Sequence, residues 1–214
     1  MLKTHLKRMI LTSLITLLPL LTGLILWSRL PDTVAVHFGP DGQADGWSSK
    51  AFAVFYMPLF LLGVHLLCIF LTAADPKRRS ISDKALGLVF WITPLCSVIV
   101  GIVTYTIALG MDIDVNLIMM LTVGLLFIVL GNYLPKCRQN YTVGIKIPWT
   151  LHDPENWNKT HRFAGKLWIV GGAVIMLNAF LSSVWIMIAM MAVMAFLPIL
   201  YSFVLYRRSL KGSK

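Results

Sequence analysis

The chain has few charged residues. Only 13% of its 214 residues are Asp, Glu, Lys or Arg, whereas 57% are hydrophobic. A soluble domain carries charge on about a quarter of its residues. No stretch between the apolar runs is long enough to bury a core of its own, which excludes a separate soluble domain. This composition, with a mean hydropathy of +0.77, predicts an integral membrane protein embedded in a lipid bilayer.

Cysteine is scarce as well. Cys68 and Cys96 lie inside apolar runs, and Cys137 lies beside a basic segment. No cysteine falls in a predicted outer loop, and the spacing is not that of metal ligands, so neither a disulfide framework nor a metal site is indicated. We expect no metal and no cofactor. A convincing internal repeat is also missing, which weakens an interpretation as a secondary transporter.

Acidic residues are outnumbered by basic ones. The chain has 9 Asp and Glu against 19 Lys and Arg, for a net charge of +10. The basic residues lie in short segments beside apolar runs, a distribution that indicates membrane topology and argues against direct nucleic-acid binding. They divide 17 to 2 across the predicted membrane. The positive-inside rule therefore places both termini and the long central segment in the cytoplasm.

Six apolar runs predict an all-α integral membrane protein with six transmembrane helices and both termini inside. The first run follows Lys7 and Arg8; it is too long for a signal peptide and no cleavage site follows, so we expect it to be retained. Prolines at 19, 58, 94 and 198 predict kinks. We expect a two-span unit over residues 1–84 with an outer loop at 29–50, and a four-span unit over 85–214 with a central loop at 131–166. The predicted spans are 9–27, 51–73, 85–109, 115–134, 167–181 and 184–206.

The outer loop predicts a short extended segment. Val34, Val36 and Phe38 alternate with Ala35 and His37, and Gly-Pro-Asp-Gly at 39–42 then predicts a turn. The candidate interaction residues of this loop are His37, Asp45 and Trp47.

The central loop is long and rich in polar side chains, which is more typical of a functional segment than of a simple connection. Asp153, Pro154 and Glu155 predict a helix start, because Asp can cap and Pro loses no needed donor there. Trp157, His161, Ala164 or Gly165, and Trp168 then recur on one face of this helix. Apolar residues continue the helix into the fifth predicted span.

Two runs carry a family resemblance. G-I-K-I-P-W-T-L at 144–151, with Asn140 upstream and W-x3-H-R-x2-G downstream, resembles the signature of the SdpI family. These are bacterial membrane proteins whose founding type gives immunity to a secreted toxin made by sibling cells. L-P-x-x-V-A-V-H-F-G-x-x-G-x-A-D-G-W in the outer loop resembles the uncharacterised domain that often precedes this signature. Lys146 stands where the family usually has arginine, so a two-pronged anion contact is lost.

The resemblance implies a multi-pass protein of the bacterial plasma membrane that confers resistance to a secreted peptide toxin. It also implies a second role, in which the protein holds a cytoplasmic transcriptional repressor at the membrane when toxin is present. The signature and its surroundings supply the candidate interaction residues, which are Asn132, Asn140, Gly144, Lys146, Pro148, Trp149, Thr150, Trp157, His161 and Gly165.

Other function classes have weaker support. A transporter needs a polar path through several spans, and His65 and Asn178 are the candidates; a neutral His65 bonded to a neighbouring helix is the favoured alternative. An enzyme needs a catalytic constellation. His152, Glu155 and His161 lack the spacing of a zinc protease, and no nucleophile–base pair is evident. We therefore predict no catalytic residues.

Two alternatives stay open for the central loop. Its polar side chains could recognise a peptide, a lipid headgroup or a cytoplasmic partner, or they could satisfy the buried backbone of the loop itself. For the tryptophans at 149, 157 and 168, anchoring at the membrane interface is favoured over a ligand cage.

Overall fold

A computed structural model describes residues 4–39 and 41–212 of the chain. Lys3 and Lys214, which enter the charge count, and Pro40 of the predicted turn lie outside the described residues. Most of the described chain is helical. The helices are α1 (Leu6–Thr16), α2 (Leu18–Ile25), α3 (Met57–Ala74), α4 (Asp83–Ala108), α5 (Val115–Tyr133), α6 (Pro148–His152), α7 (Pro154–Asn178) and α8 (Val184–Gly212). A π-helical segment, Phe52–Tyr56, precedes α3, and short 3₁₀ turns cover Arg78–Ser80 and Leu134–Lys136.

Among the described residues, five helical segments are long and apolar enough to cross a membrane, namely Leu6–Ile25, Phe52–Ala74, Asp83–Ala108, Val115–Lys136 and Val184–Lys211. The predicted class, a helical multi-pass membrane protein, is thereby confirmed. Helix α7 is not one of these segments. Its first half carries the polar residues of the central loop, and only its second half is apolar. The six-span count and the topology stay predictions.

Proline acts differently in different spans. The first predicted span is divided at Leu17, so that Pro19 starts α2 near its first turn. Pro58 follows the π-helical segment, whereas Pro94 and Pro198 lie inside continuous helices. The fifth predicted span was expected to run to residue 181, but α7 ends at Asn178 and a turn leads to Ser182, which has a positive φ of 48°.

The outer loop forms a β-hairpin. β1 (Thr33–Phe38) confirms the predicted extended segment, and it pairs antiparallel with β2 (Ala44–Ser49). The predicted turn is present, since the Gly42 amide donates to the Gly39 carbonyl at 2.9 Å. The second strand was not predicted, because A-D-G-W-S-S lacks the alternation of apolar residues that indicates a strand.

The chain forms two compact units. The first comprises Met1–Ala73 and Gly87–Asn116, with Leu30, Val54 and Tyr105 in its core. Inside it, the Thr12 hydroxyl lies 2.9 Å from His65 Nε2, so the expected bond between His65 and a neighbouring helix is present, and the structural role of His65 stays a prediction. The second comprises Ala74–Leu86 and Leu117–Lys214, with a core of Met120, Ile175, Ala179 and Met194. The predicted division at residue 84 stays a prediction.

Candidate functional site

Residues 137–153, here called the signature loop, fold against the first half of α7. The predicted helix start is confirmed, because the Asp153 carboxylate accepts the Glu155 amide at 2.8 Å. Trp157, His161 and Gly165 are buried on one face of the helix. This face is where the loop packs, and the whole arrangement lies within the second unit.

His161 uses both ring nitrogens inside the loop. Nδ1 donates to the Trp157 carbonyl at 2.8 Å, and Nε2 accepts the Ile145 amide at 2.9 Å. Since a carbonyl cannot donate and an amide cannot accept, this pattern requires the neutral imidazole with its proton on Nδ1. Burial lowers the pKa of His161 to about 4, against a smaller raising effect of the bond to Trp157. His161 therefore has neither a free lone pair for a metal nor a free nitrogen for proton transfer.

Trp157 is the buried partner of that imidazole. Its ring is 0% exposed and stacks on His161 with centroids 4.0 Å apart. Its indole N–H donates to the Cys137 carbonyl at 2.8 Å. The interpretation of Trp157 as an interface anchor is wrong, because anchoring needs a ring that reaches the headgroup region and this ring is packed inside the unit.

Gly144 is required where the loop crosses these two rings. Its φ is +122°, a conformation that side chains rarely adopt. A Cβ at this position would lie 2.5 Å from His161 Nε2 and 2.9 Å from the Trp157 ring. Only glycine lets the backbone come this close to the imidazole.

Thr150 and Asn140 close the loop on itself. The buried Thr150 hydroxyl accepts the Ile147 amide at 3.1 Å and lies 2.8 Å from the Ile145 carbonyl. The buried Asn140 amide group donates to the Arg138 and Val143 carbonyls, and its oxygen accepts the Thr142 and Val143 amides. Both side chains thus satisfy backbone groups of the loop, as one of the two open alternatives expected.

Asp75, which the sequence analysis did not identify, holds the same loop from another part of the chain. Its carboxylate is 3% exposed. One oxygen accepts the Lys77 amide at 2.7 Å, and the other accepts the Tyr141 amide at 2.9 Å and the Thr142 hydroxyl. The Asp-Pro pair at 75–76 signals a turn locally, but no local signal pairs it with residue 141.

Gln139 makes a second attachment to this turn. Its side-chain oxygen accepts the Lys77 ammonium at 2.8 Å, and its amide group donates to the Thr150 and Leu151 carbonyls at 2.8 and 2.9 Å. These carbonyls lie at the end of the short helix α6, where backbone acceptors lack helical partners. The turn after α3 and the signature loop are therefore joined by polar contacts at two points.

The remaining candidates lie at the surface or in helix packing. Lys146 is exposed and donates to the Thr142 carbonyl at 2.8 Å. Asn132 is exposed on α5 and lies outside the loop's hydrogen bonds. Pro148 begins α6. Trp149 stacks against α8, with its ring centroid 5.9 Å from that of Tyr206, and its buried indole nitrogen has no partner within the described residues.

Gly165 mediates helix packing. A Cβ there would lie 2.7 Å from the Gly131 carbonyl and 2.7 Å from Pro135, so α7 and α5 approach through their glycines. A buried polar contact joins α7 to α8 as well. There the Asn156 side chain donates to the Ser202 carbonyl at 3.0 Å and accepts the Ser202 hydroxyl at 2.6 Å. One face of the first half of α7 is therefore buried by protein, whereas its charged side chains are exposed.

The outer hairpin carries its own candidates. His37 Nδ1 and the Asp45 carboxylate form an exposed hydrogen-bonded contact across the two strands. Trp47 is 60% exposed on β2. The hairpin belongs to the first unit and the signature loop to the second.

The combined geometry defines a class of protein: a helical multi-pass membrane protein with a rigid polar loop built onto a buried helix face. Residues 136–202 match the SdpI/YfhL protein family, and residues 14–62 match a domain of unknown function, DUF1648. The chain is 27% identical to "Immunity protein SdpI" of Bacillus subtilis (strain 168) over 97% of its length and 100% of that relative. No solved structure matches. The predicted resemblance to the SdpI family is thereby confirmed, as is the localisation, a multi-pass membrane protein of bacteria.

Proposed function

We propose that the protein is an immunity protein that protects the cell carrying it against a secreted antimicrobial peptide. The observation that carries this proposal is the similarity to an immunity protein along nearly the whole chain, outer hairpin and signature loop included. Protection then depends on the membrane-embedded protein itself and not on destruction of the toxin.

The chemistry of the central loop supports a role without catalysis. Both ring nitrogens of His161 are engaged with backbone groups. Glu155 is exposed and pairs with Lys159 at 2.6 Å. His152 is exposed, and its Nδ1 donates to the Pro148 carbonyl at 2.6 Å. These three residues therefore do not converge on one reacting position, which an acid–base mechanism requires.

A second role follows from the same resemblance: the signature loop signals the presence of toxin to a soluble repressor in the cytoplasm. The second unit supports it by its charge. Exposed basic side chains lie in the turn after α3, in the loop and on α7, whereas three acidic side chains of the unit are engaged, Asp75 by the loop, Asp153 as a helix cap and Glu155 by Lys159. A surface of this kind favours a partner with acidic groups. The exposed basic residues are Arg78, Arg79, Lys136, Arg138, Lys146, Arg162 and Lys166.

The test is a paired assay. Cells of a toxin-sensitive strain that express the chain are challenged with spent medium from a toxin-producing strain. Two quantities are measured: the survival of the cells and the response of a transcriptional reporter that the repressor controls. Survival should rise while intact toxin stays in the medium. Changes at Lys146, Trp149 or His161 should lower the reporter response more than survival, whereas Trp47→Ala should lower both, because toxin is sensed before either response.

The controls separate the alternatives. Each variant must reach the membrane at the wild-type level, and His152→Ala serves as an exposed control in the same loop. If survival does not rise above that of the vector control, the immunity function is wrong. Loss of intact toxin that depends on Glu155 or His161 would instead favour an enzyme, and loop variants that abolish survival but not the reporter response would reverse the assigned roles.

A further inference from the structure

The strongest contact that the family resemblance does not account for is the one between Asp75 and the signature loop. Asp75 lies outside both matched segments, 14–62 and 136–202. It nevertheless reaches Tyr141 and Thr142, which lie 66 and 67 residues further along the chain. All of these residues belong to the second unit.

The chemistry of this contact depends on a carboxylate. Three donors, two backbone amides and one hydroxyl, point at its two oxygens from opposite sides. A carboxylate is an acceptor on both oxygens, and bonds to a charged acceptor are about twice as strong as neutral ones. In Asp75→Asn, the side-chain NH₂ group would face either the Lys77 amide or the Tyr141 amide and Thr142 hydroxyl, so that donors would face donors. No other side chain of similar size has an acceptor at both of these oxygen positions.

The position of Asp75 in the chain places this contact at the end of helix α3. Strand β2 ends at Ser49, the π-helical segment begins at Phe52, and α3 then continues without a break to Ala74. Asp75 is the next residue. A π-helical segment within a helix is frequently found at functional sites. The residue that holds the signature loop therefore directly follows the last residue of α3.

We propose that Asp75 is a positioning residue: its carboxylate holds the signature loop in its folded conformation and makes that conformation depend on the end of helix α3. Without the carboxylate, residues 137–143 leave their packed position. The part of the proposal that concerns signalling rests on the proposed function, whereas the part that concerns the loop conformation does not.

The chain contains its own reporter of this conformation. Cys137 is buried at the start of the loop, and its carbonyl is held by the Trp157 indole. Burial raises the pKa of the Cys137 thiol, which keeps it in the unreactive protonated form. Opening of the loop would expose this thiol, so its rate of modification measures the open population.

The experiment uses the full chain in detergent, with Cys68 and Cys96 replaced by serine so that Cys137 is the single thiol. The rate of maleimide modification is compared for the parent, Asp75→Asn, Thr142→Val and the matched control Asp83→Asn, an exposed carboxylate in the first turn of α4. We expect a rise of about tenfold or more for Asp75→Asn, a smaller rise for Thr142→Val and less than a twofold change for Asp83→Asn. A double variant that carries both Asp75→Asn and Thr142→Val should react no faster than Asp75→Asn alone, because both changes remove parts of one contact.

Several results would overturn the proposal. A parent-like rate for Asp75→Asn would show that the carboxylate does not hold the loop, and an equal rise for Asp83→Asn would show general loosening. If Asp75→Asn fails to accumulate, Thr142→Val decides the question, and a parent-like rate for it overturns the proposal.

The functional arm uses the survival and reporter assays described above. Asp75→Asn should lose the reporter response while it retains survival. A normal reporter response from a variant whose Cys137 reacts faster would overturn the signalling part. Failure of the wild-type chain in both assays would instead remove the proposed function and leave the labelling result standing.

Discussion

The imidazole of His161 acts as a neutral connector between helix and loop. Its Nε2 accepts a hydrogen bond from the Ile145 amide and its Nδ1–H donates one to the Trp157 carbonyl, while Gly144 passes over Nε2. A histidine one helical turn after a tryptophan in a polar loop invites a catalytic interpretation from sequence alone. Its buried geometry shows why the residue type is needed here: a single planar side chain must accept on one edge and donate on the other.

The stability of the protein should depend on pH through His161. Its pKa is about 4 in the folded protein, compared with an ordinary value of 6.5. Above pH 6.5 the residue is neutral in both states and its contacts contribute fully to stability. Below that pH the unfolded chain binds a proton that the folded chain excludes, so stability falls between pH 6.5 and about 4, by about 3 kcal/mol in total.

Unfolding of the detergent-solubilised protein by denaturant, measured at several pH values, checks this prediction. His161→Gln keeps a side-chain acceptor but cannot titrate, and it should lose the pH dependence over this interval. His152→Gln, at an exposed position, serves as the control and should keep it. An unchanged pH dependence in His161→Gln would contradict the assignment.

Helices α5 and α7 pack through glycine at two levels. Gly131 faces Gly165, and Gly124 faces Gly172, where a Cβ on Gly172 would lie 2.5 Å from the Gly124 carbonyl. Such close approach is typical of helix packing in membranes, where small residues let backbones meet. It also positions the first half of α7, the helix face on which the signature loop is built.

Gly165→Ala should destabilise the protein by ~1–3 kcal/mol, because the added methyl group overlaps the Gly131 carbonyl and Pro135. Gly87→Ala is a matched control on α4, since a Cβ there meets nothing within 4 Å. That change should be neutral or stabilise by up to ~1 kcal/mol, as alanine favours a helix over glycine. Thermal unfolding in detergent measures both, and equal effects of the same sign would contradict the packing argument.

At the scale of the whole molecule, the crossing of α7 decides the topology. Six spans place residue 158 in the cytoplasm and the turn at 182–183 outside, whereas a chain in which α7 does not cross has both on one side. The division of Lys and Arg, 17 to 2, favours six spans with the central loop inside.

Cysteine labelling in intact cells tests this topology. In a chain without native cysteines, a membrane-impermeant maleimide should label Ser48→Cys and Ser183→Cys from outside. Asn158→Cys should be labelled only after the cells are permeabilised, which also shows that the site is accessible. Labelling of Asn158→Cys in intact cells would overturn the topology, and protection of Ser183→Cys would remove α7 as a span.

The sequence by itself determined the features that depend on composition and on neighbouring residues. Long apolar runs predict the membrane helices because hydrocarbon thickness demands them. Asp153, Pro154 and Glu155 start α7 through contacts within one turn, and β1 follows from its alternation. The residues at 144–151 indicate the resemblance to the SdpI family by their types and spacing, without any tertiary contact.

Tertiary structure alone decided which distant groups meet. Asp75 reads as part of a basic turn, and nothing nearby in the chain connects it with Tyr141 and Thr142. Trp157 reads as an interface anchor, and its burial depends on the loop that folds over it. β2 has no strand pattern and forms because β1 supplies its backbone partners. The physical reason is common to all three: hydrogen bonds and burial are satisfied in space, so a residue's environment is set by segments that its own neighbours in sequence do not specify.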